Sequence, residues 1–175
     1  MQNKRYILLG LKHSGKTSLA QGMSRQLGIP WFDLDHRIAS SHPQYPDIRS
    51  MYRERGLAWF QEQECIAYDS ISDPHCIIAC GGGAMENPSL MERIAAERDE
   101  SPKTLRIFID SPEELLFTRI IKHGIPPFLS SDAPREHFRS LYVRRRNMGL
   151  EHADVVISAG ELDKEEVLQQ LLDRI

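Results

Sequence analysis

The sequence predicts an α/β fold in which a doubly wound sheet of five parallel strands carries helices on both faces, giving three layers. Two observations favour this fold. Apolar runs of strand length alternate along the chain with segments of helical periodicity. Several of these runs, such as residues 76–80, are apolar throughout, as expected for parallel strands that are buried on both faces.

The predicted elements follow one another in a regular order. Strands are expected at residues 6–9, 29–32, 76–80, 105–109 and 155–157. Helices are expected at residues 16–27, 48–55, 57–72, 88–98, 113–122, 132–148 and 168–175. Gly56 is the predicted break between two of them, and Asp47, Asn87 and Asp132 are predicted N-caps. The alternation indicates a single domain over residues 1–175, without repeats or linkers.

Composition and charge exclude several classes of function. The formal net charge is -3, so no general basic surface for nucleic acid is expected. No apolar run approaches the roughly 20 residues of a membrane span. We therefore expect a cytoplasmic monomer that contacts neither nucleic acid nor membrane. The three cysteines, Cys65, Cys76 and Cys80, lack CxxC spacing and are expected to be buried free thiols.

A phosphate-binding loop connects the first predicted strand and helix. Residues 10–17 read Gly-Leu-Lys-His-Ser-Gly-Lys-Thr and fit the pattern GxxxxGK[ST]. Its glycines let backbone N–H groups surround phosphate oxygens, and the helix N-terminus adds partial positive charge. The motif predicts a P-loop fold that binds a nucleoside triphosphate with Mg²⁺. The expected nucleotide contacts are Gly10, Lys12, His13, Ser14, Gly15, Lys16, Thr17 and Ser18, although Lys12 fits a solvated surface equally well.

Two further groups of residues follow predicted strands. Asp33 and Asp35 end the second strand, where an extended backbone would point them to opposite sides. One carboxylate can then support Mg²⁺ through water, while the other orients a substrate hydroxyl or accepts its proton. The alternative is that both aspartates cap the following helix. The glycines at residues 81–83 end the third strand, which indicates a ligand lying close to the backbone or, alternatively, a tight turn.

These features should converge on one cleft, because ligands in such sheets bind beyond the carboxyl ends of the strands. In this combination and order the sequence resembles the shikimate kinases, a family with the nucleoside-monophosphate-kinase-like P-loop fold. The matches are the loop at residues 10–17, Asp33-x-Asp35, Gly56 with Phe60 and Glu64, Gly81-Gly82-Gly83-Ala84, Arg119, Arg145 and Ala153-Asp154. The resemblance covers nearly the whole chain. It implies Mg²⁺-dependent transfer of phosphate from ATP to a hydroxyl of shikimate, in chorismate and aromatic amino acid biosynthesis.

The resemblance also implies roles for individual residues. Lys16 and Asp35 would be catalytic, with Asp35 as the base for the acceptor hydroxyl. Thr17 and Asp33 would hold the metal, and Arg119 would stack on adenine. The substrate contacts would be Asp35, Gln61, Gly82, Gly83 and Arg145, with Arg145 pairing with the substrate carboxylate. The substrate-binding segment would span about residues 34–64, and a lid would span about residues 122–134.

The chain departs from the family pattern at three positions. Gln61 and Pro126 stand where the pattern has arginines, one gripping the substrate carboxylate and the other reaching the transferring phosphate. Gly149 stands where a tyrosine is expected. Loss of two charged hydrogen bonds would cost on the order of a hundredfold to ten-thousandfold in affinity or rate unless other cations compensate. The candidates are Lys122, Arg135, Arg144 and Arg146.

Three functions therefore remain open. The first is a shikimate kinase that acts on a small-molecule substrate. The second is a kinase of the same design for another small polyol or sugar acid, because Gln61 and Pro126 suit an acceptor that is not gripped by two arginines. The third is a nucleotide-binding protein with weak catalysis, against which the presence of both aspartates argues.

Overall fold

The protein is described from a computed structural model over residues 4–97, 103–122, 133–160 and 162–175. Within these residues, five strands form one parallel sheet in the order β2-β3-β1-β4-β5. The strands are β1 (Lys4–Leu9), β2 (Trp31–Asp33), β3 (Cys76–Ala79), β4 (Lys103–Asp110) and β5 (Val155–Ser158). The helices are α1 (Lys16–Leu27), α2 (Leu34–Ser41), α3 (Ile48–Asp69), α4 (Pro88–Ala96), α5 (Glu113–Lys122), α6 (Pro134–His152) and α7 (Lys164–Leu172).

The sheet separates two apolar cores, which confirms the predicted doubly wound α/β fold. Successive side chains of a strand point to opposite faces. In β1, Ile7 and Leu9 therefore join a core covered by helices α2 to α6, whereas Tyr6 and Leu8 join a core covered by α1 and α7. Burial on both faces explains why β1 reads as a continuous apolar run.

The strand order places the P-loop beside residues 81–83, the glycine segment. Strand β1 pairs with β3 on one side and with β4 on the other, so that Tyr6 lies opposite both Ile77 and Leu105. The chain leaves β1 toward β2 and later crosses to β4, so the order reverses next to β1. Such a switch point opens a crevice at the carboxyl ends of the strands.

Several predicted boundaries shift. Gly56 interrupts α3 as expected, since its φ of 81° is not helical, but the second half of α3 ends at Asp69 rather than near residue 72. Helix α4 begins as predicted, with the Asn87 side chain accepting a hydrogen bond from the Leu90 N–H. Helix α6 has Ala133 at its N-cap position and continues to His152 instead of ending near Met148. The predicted cap Asp132 lies outside the described residues.

A buried ion pair fixes the entry into β5. The carboxylate of Asp154 accepts hydrogen bonds from the backbone N–H, Nε and Nη2 of Arg106 on β4, at 2.9, 3.0 and 3.0 Å. Both side chains are largely buried. The pair joins the end of α6 to the sheet and so holds the helix that carries Arg145.

The cysteines and the length of the helices can also be compared with the sequence analysis. Cys65, Cys76 and Cys80 are buried free cysteines, as predicted. Among the residues that the structure describes, no helix is long and apolar enough to cross a membrane.

Candidate active site

The carboxyl ends of β1, β2 and β3 surround one cleft with a volume of 740 Å³. The P-loop forms its floor, and Asp33, Asp35 and Gly82 form one wall. Arg119 and the start of α7 form the opposite rim. The three features that the sequence placed after strands therefore meet in one cleft, as predicted.

Lys16 is a buried cation at the base of the cleft. Its Nζ donates hydrogen bonds to the carbonyl oxygens of Gly10 and Leu11, at 2.9 and 2.8 Å. Burial lowers the pKa of Lys16 to about 8, although the charge of Asp35 opposes the shift. A phosphate oxygen in the loop would find this ammonium group nearby and already desolvated, which strengthens its attraction for negative charge.

Thr17 and Asp33 form a pair of oxygen donors at the edge of the loop. The Thr17 hydroxyl donates to Asp33 Oδ2 at 2.8 Å, and Asp33 Oδ1 accepts from the backbone N–H of His36 at 3.1 Å. Asp33 therefore caps α2 and also faces Thr17. A hydroxyl and a carboxylate beside a phosphate-binding loop fit Mg²⁺, which prefers oxygen ligands and retains several waters.

Asp35 lies in the first turn of α2, because β2 ends at Asp33. The expectation of an extended backbone is therefore wrong for Asp35, whereas Asp33 keeps extended backbone angles as the N-cap of α2. Burial and the neighbouring charge of Asp33 raise the pKa of Asp35, and Lys16 and Lys12 oppose this rise. The result is a carboxyl group in the cleft that holds a proton more readily than an exposed aspartate.

The three glycines allow close contacts between parts of the protein. A Cβ atom on Gly81 would lie 2.6 Å from Asp35 Oδ1, and one on Gly82 would lie 2.7 Å from the backbone nitrogen of Lys12. A Cβ on Gly83 would lie 3.3 Å from Arg145 Nη2. The segment thus joins the aspartate, the P-loop and the arginine of α6, which a simple turn would not require.

Arg145 is held by a glutamate that sequence reasoning did not single out. Its Nε and Nη2 both donate to Glu86 Oε2, at 2.9 and 2.6 Å. Arg144 donates from Nε to Glu86 Oε1 at 2.7 Å, and Gln61 Nε2 donates to the Glu86 backbone carbonyl at 2.9 Å. The contact between residues 86 and 145 is distant in sequence, so no local pattern pointed to it.

Glu64 is a second acidic group beside the glycines. Its side chain is buried and accepts a hydrogen bond from Asn87 Nδ2 at 3.0 Å. Burial raises its pKa to about 7, against the effect of the hydrogen bond from Asn87, and the charge of Asp35 adds to the rise. Glu64 matches the family pattern, but the resemblance assigned it no role.

The remaining cations are mostly engaged in protein contacts. Arg119 Nη1 donates to the His13 carbonyl oxygen at 2.9 Å, which places the guanidinium group at the rim of the P-loop. Of the candidates for compensation, Arg135 pairs with Glu114, and Arg146 pairs with Asp110 at 2.7 Å. The predicted lid, with Pro126, falls mainly outside the described residues.

Comparison with known proteins agrees with this arrangement. A model of the shikimate kinase family matches residues 12–175. The chain belongs to the shikimate kinase family. It is 29% identical to the shikimate kinase of Neisseria gonorrhoeae over 177 residues, which cover 99% of this chain and 96% of that one. It is 30% identical to the shikimate kinase of Bordetella pertussis over 172 residues, covering 96% of this chain and 76% of the other.

Solved structures of shikimate kinases share the fold. A shikimate kinase from Acinetobacter baumannii in complex with shikimate superposes with a TM-score of 0.80 at 21% identity, covering 99% of this chain and 92% of that chain. A shikimate kinase from Bacteroides thetaiotaomicron gives a TM-score of 0.77 at 22% identity, covering 97% and 96%. The family match therefore extends from the P-loop to the last helix.

Proposed function

We propose that this protein transfers the γ-phosphoryl group of ATP to a hydroxyl of shikimate. The observation that carries the proposal is the contact of the glycine segment with both Asp35 and Lys12, since it brings the base and the phosphate loop to one wall of the cleft. Membership of the shikimate kinase family supports shikimate as the acceptor.

The donor half of the reaction uses the P-loop. Backbone N–H groups of residues 10–17 and the Lys16 ammonium group would surround the phosphates, and Arg119, at the rim of the P-loop, would stack on the adenine. Thr17 and Asp33 would hold Mg²⁺, which neutralises charge on the phosphates when bound. These groups stabilise the negative charge that moves to the leaving oxygen.

The acceptor half uses Asp35 and the glycine segment. A hydroxyl that approaches the γ-phosphorus from the side of Gly82 would meet the Asp35 carboxylate, which orients the hydroxyl and accepts its proton. Arg145 lies beyond Gly83 and supplies a cation for the carboxylate of the acceptor. The side chain of Gln61 donates to the backbone carbonyl oxygen of Glu86.

We further infer the general setting of the enzyme. ATP and Mg²⁺ are the expected donor and cofactor, a single domain of 175 residues is the expected unit, and the segment around residues 122–134 is the expected lid. A cytoplasmic monomer that acts on a small molecule remains the prediction.

One observation favours a second candidate, a kinase for a neutral polyol. The guanidinium group of Arg145 is already paired with Glu86, and no second arginine stands at position 61. An acceptor without a carboxylate would not need Arg145.

ADP release from MgATP separates the two candidates. The assay is run with shikimate, gluconate, inositol, nucleoside monophosphates and no acceptor. We expect ADP release to depend on shikimate. Release with inositol alone would favour the second candidate, and tight ATP binding without turnover on any acceptor would contradict both.

A further inference from the structure

Glu86 places a carboxylate beside Arg145, the arginine expected to face the acceptor. It is the last residue of the short 3-10 turn Ala84–Glu86, which directly follows the glycine segment, and it is anchored there by the hydrogen bond from Gln61 to its carbonyl oxygen. Its two side-chain oxygens lie between two guanidinium groups: Oε1 accepts from Arg144 and Oε2 accepts from Arg145. Nothing in the family resemblance assigned a role to this residue.

The pairing uses one of the two-donor edges of the Arg145 guanidinium group. An arginine recognises a carboxylate through two parallel N–H donors, and Nε with Nη2 is one such edge. Both donors point at Glu86 Oε2, at 2.9 and 2.6 Å. The side chains of Arg145 and Glu86 are 19% and 24% exposed, so water screens this pair less than a surface ion pair.

The charge on Glu86 is permanent near neutral pH. Burial alone would raise its pKa, but the hydrogen bonds and charges of Arg145 and Arg144 lower it below the usual range for a glutamate. An acceptor carboxylate that reaches Arg145 therefore meets a second anion on the same guanidinium group.

We propose that Glu86 determines acceptor affinity by competing with the acceptor carboxylate for Arg145. The inference rests on the proposed function, because it assumes that Arg145 faces the acceptor. A Cβ on Gly83 would lie 3.3 Å from Arg145 Nη2, and the charge of Arg145 adds to the fall in the pKa of Lys16 and opposes the rise in the pKa of Glu64, so this arginine lies within electrostatic reach of the P-loop and the glycine segment. With Gln61 in place of an arginine, Glu86 leaves the acceptor end with less positive charge than Arg145 alone would provide.

The test is the binding of shikimate and of its uncharged methyl ester to the wild type and to Glu86→Gln, measured by calorimetry. Glutamine keeps the size of the side chain and removes its charge. We expect shikimate to bind about tenfold more tightly to the variant, since the freed guanidinium group regains a charged partner. The ester should bind equally to both proteins, and KM for ATP should stay unchanged.

A matched control is Asp69→Asn. Asp69 pairs with Arg93 at 3.1 Å on an exposed surface away from the cleft, so the variant makes the same change in net charge at another ion pair. It should bind shikimate as the wild type does. Glu86→Ala serves as a second variant if the glutamine protein does not fold.

Two results would overturn the inference. Unchanged or weaker binding of shikimate to Glu86→Gln would mean that Glu86 is uninvolved or positions Arg145 for the acceptor. An equal gain for shikimate and its ester would mean that the effect is not one of charge. If the wild type shows no turnover with shikimate, the proposed function fails, while the binding comparison still decides the role of Glu86.

Discussion

At the scale of single residues, Lys16 links the electrostatics of the cleft to the binding of phosphate. The buried ammonium group satisfies its donors with the carbonyl oxygens of Gly10 and Leu11 and with Ser14 Oγ. All three acceptors belong to the P-loop, and phosphate oxygens would replace some of them as acceptors for Lys16 Nζ. Burial makes the charged form of Lys16 costly until an anion arrives.

This predicts a loss of ATP capture at alkaline pH. Because burial lowers the pKa of Lys16 to about 8, the side chain is charged below that pH and becomes neutral above it in the enzyme without nucleotide. The value of kcat/KM for ATP reports the free enzyme, so it should fall as pH rises through about 8. With saturating MgATP, bound phosphate stabilises the ammonium group, and the decline in kcat should move to higher pH.

The control compares the pH profile of kcat/KM for ATP with the pH profile of kcat. Steady-state rates are measured across the pH range at limiting and at saturating MgATP, and circular dichroism checks that the fold persists. A kcat/KM for ATP that stays constant well above pH 8 would contradict the role of a buried, titrating Lys16.

Residues in local motifs could be predicted from the sequence, whereas their distant partners could not. Lys16 and Thr17 belong to a loop whose spacing alone fixes their position. Glu86 acquires its place through contacts with Arg144 and Arg145, which lie on a helix more than fifty residues further along the chain. Such ion pairs depend on how α6 packs against the turn that carries Glu86. A single sequence contains no local pattern that predicts this packing.

At the scale of elements, the glycine segment after β3 acts as a spacer between the P-loop and the acceptor side. Gly82 packs against backbone atoms of Lys12, and backbone cannot move aside as a flexible side chain can. The strand, the loop and the first turn of α2 are thereby held in fixed relative positions.

Gly82→Ala should therefore impair catalysis. The added Cβ would lie 2.7 Å from the Lys12 nitrogen and would push the P-loop away from the glycine segment. Displacement of reacting groups by a fraction of an ångström to one ångström lowers rates by about tenfold to a hundredfold. We expect kcat/KM to fall by this amount and KM for ATP to rise.

Gly160→Ala is the matched control. A Cβ at Gly160 would make an ordinary contact with Pro112 at 3.7 Å, so the same chemical change should leave the kinetics near those of the wild type. Equal kinetics for both variants would show that the close contact between Gly82 and Lys12 is not needed.

The elements themselves were predictable where local signals decide them. The N-caps at Asp47 and Asn87 and the break at Gly56 agree with the structure. In α6, Phe108 of β4 packs against Gly149, and a Cβ there would overlap the ring. The tyrosine of the family pattern has no room at this position, and this packing cannot be inferred from helix signals.

At the scale of the whole molecule, the alternation of strands and helices was enough to predict where the cleft lies. In a parallel sheet every strand ends at the same edge, and residues that follow neighbouring strands meet there, as those after β1, β2 and β3 do. The geometry of Asp35 was not predictable in the same way, because α2 begins at Leu34 and places Asp35 in its first turn, where the sequence predicted extended backbone.

Ion pairs engage two of the arginines that could have compensated for the missing family arginines. Arg135 and Arg146 pair with Glu114 and Asp110, so neither is available without breaking an ion pair. Lys12 and Lys16 remain next to Asp35, and both favour its charged form. Phosphoryl transfer would therefore depend on the P-loop lysines together with Asp35.

The most direct test of a kinase built around Asp35 is the formation of phosphorylated shikimate from MgATP and shikimate, followed by mass spectrometry. The wild type should yield phosphorylated shikimate and ADP in equal amounts. Asp35→Asn keeps the shape of the side chain and removes the base, so its kcat should fall about a hundredfold to ten-thousandfold, with KM for ATP little changed. Asp69→Asn should retain the activity of the wild type. Equal rates of phosphorylated shikimate formation by the wild type and Asp35→Asn, or no product from the wild type, would contradict the account.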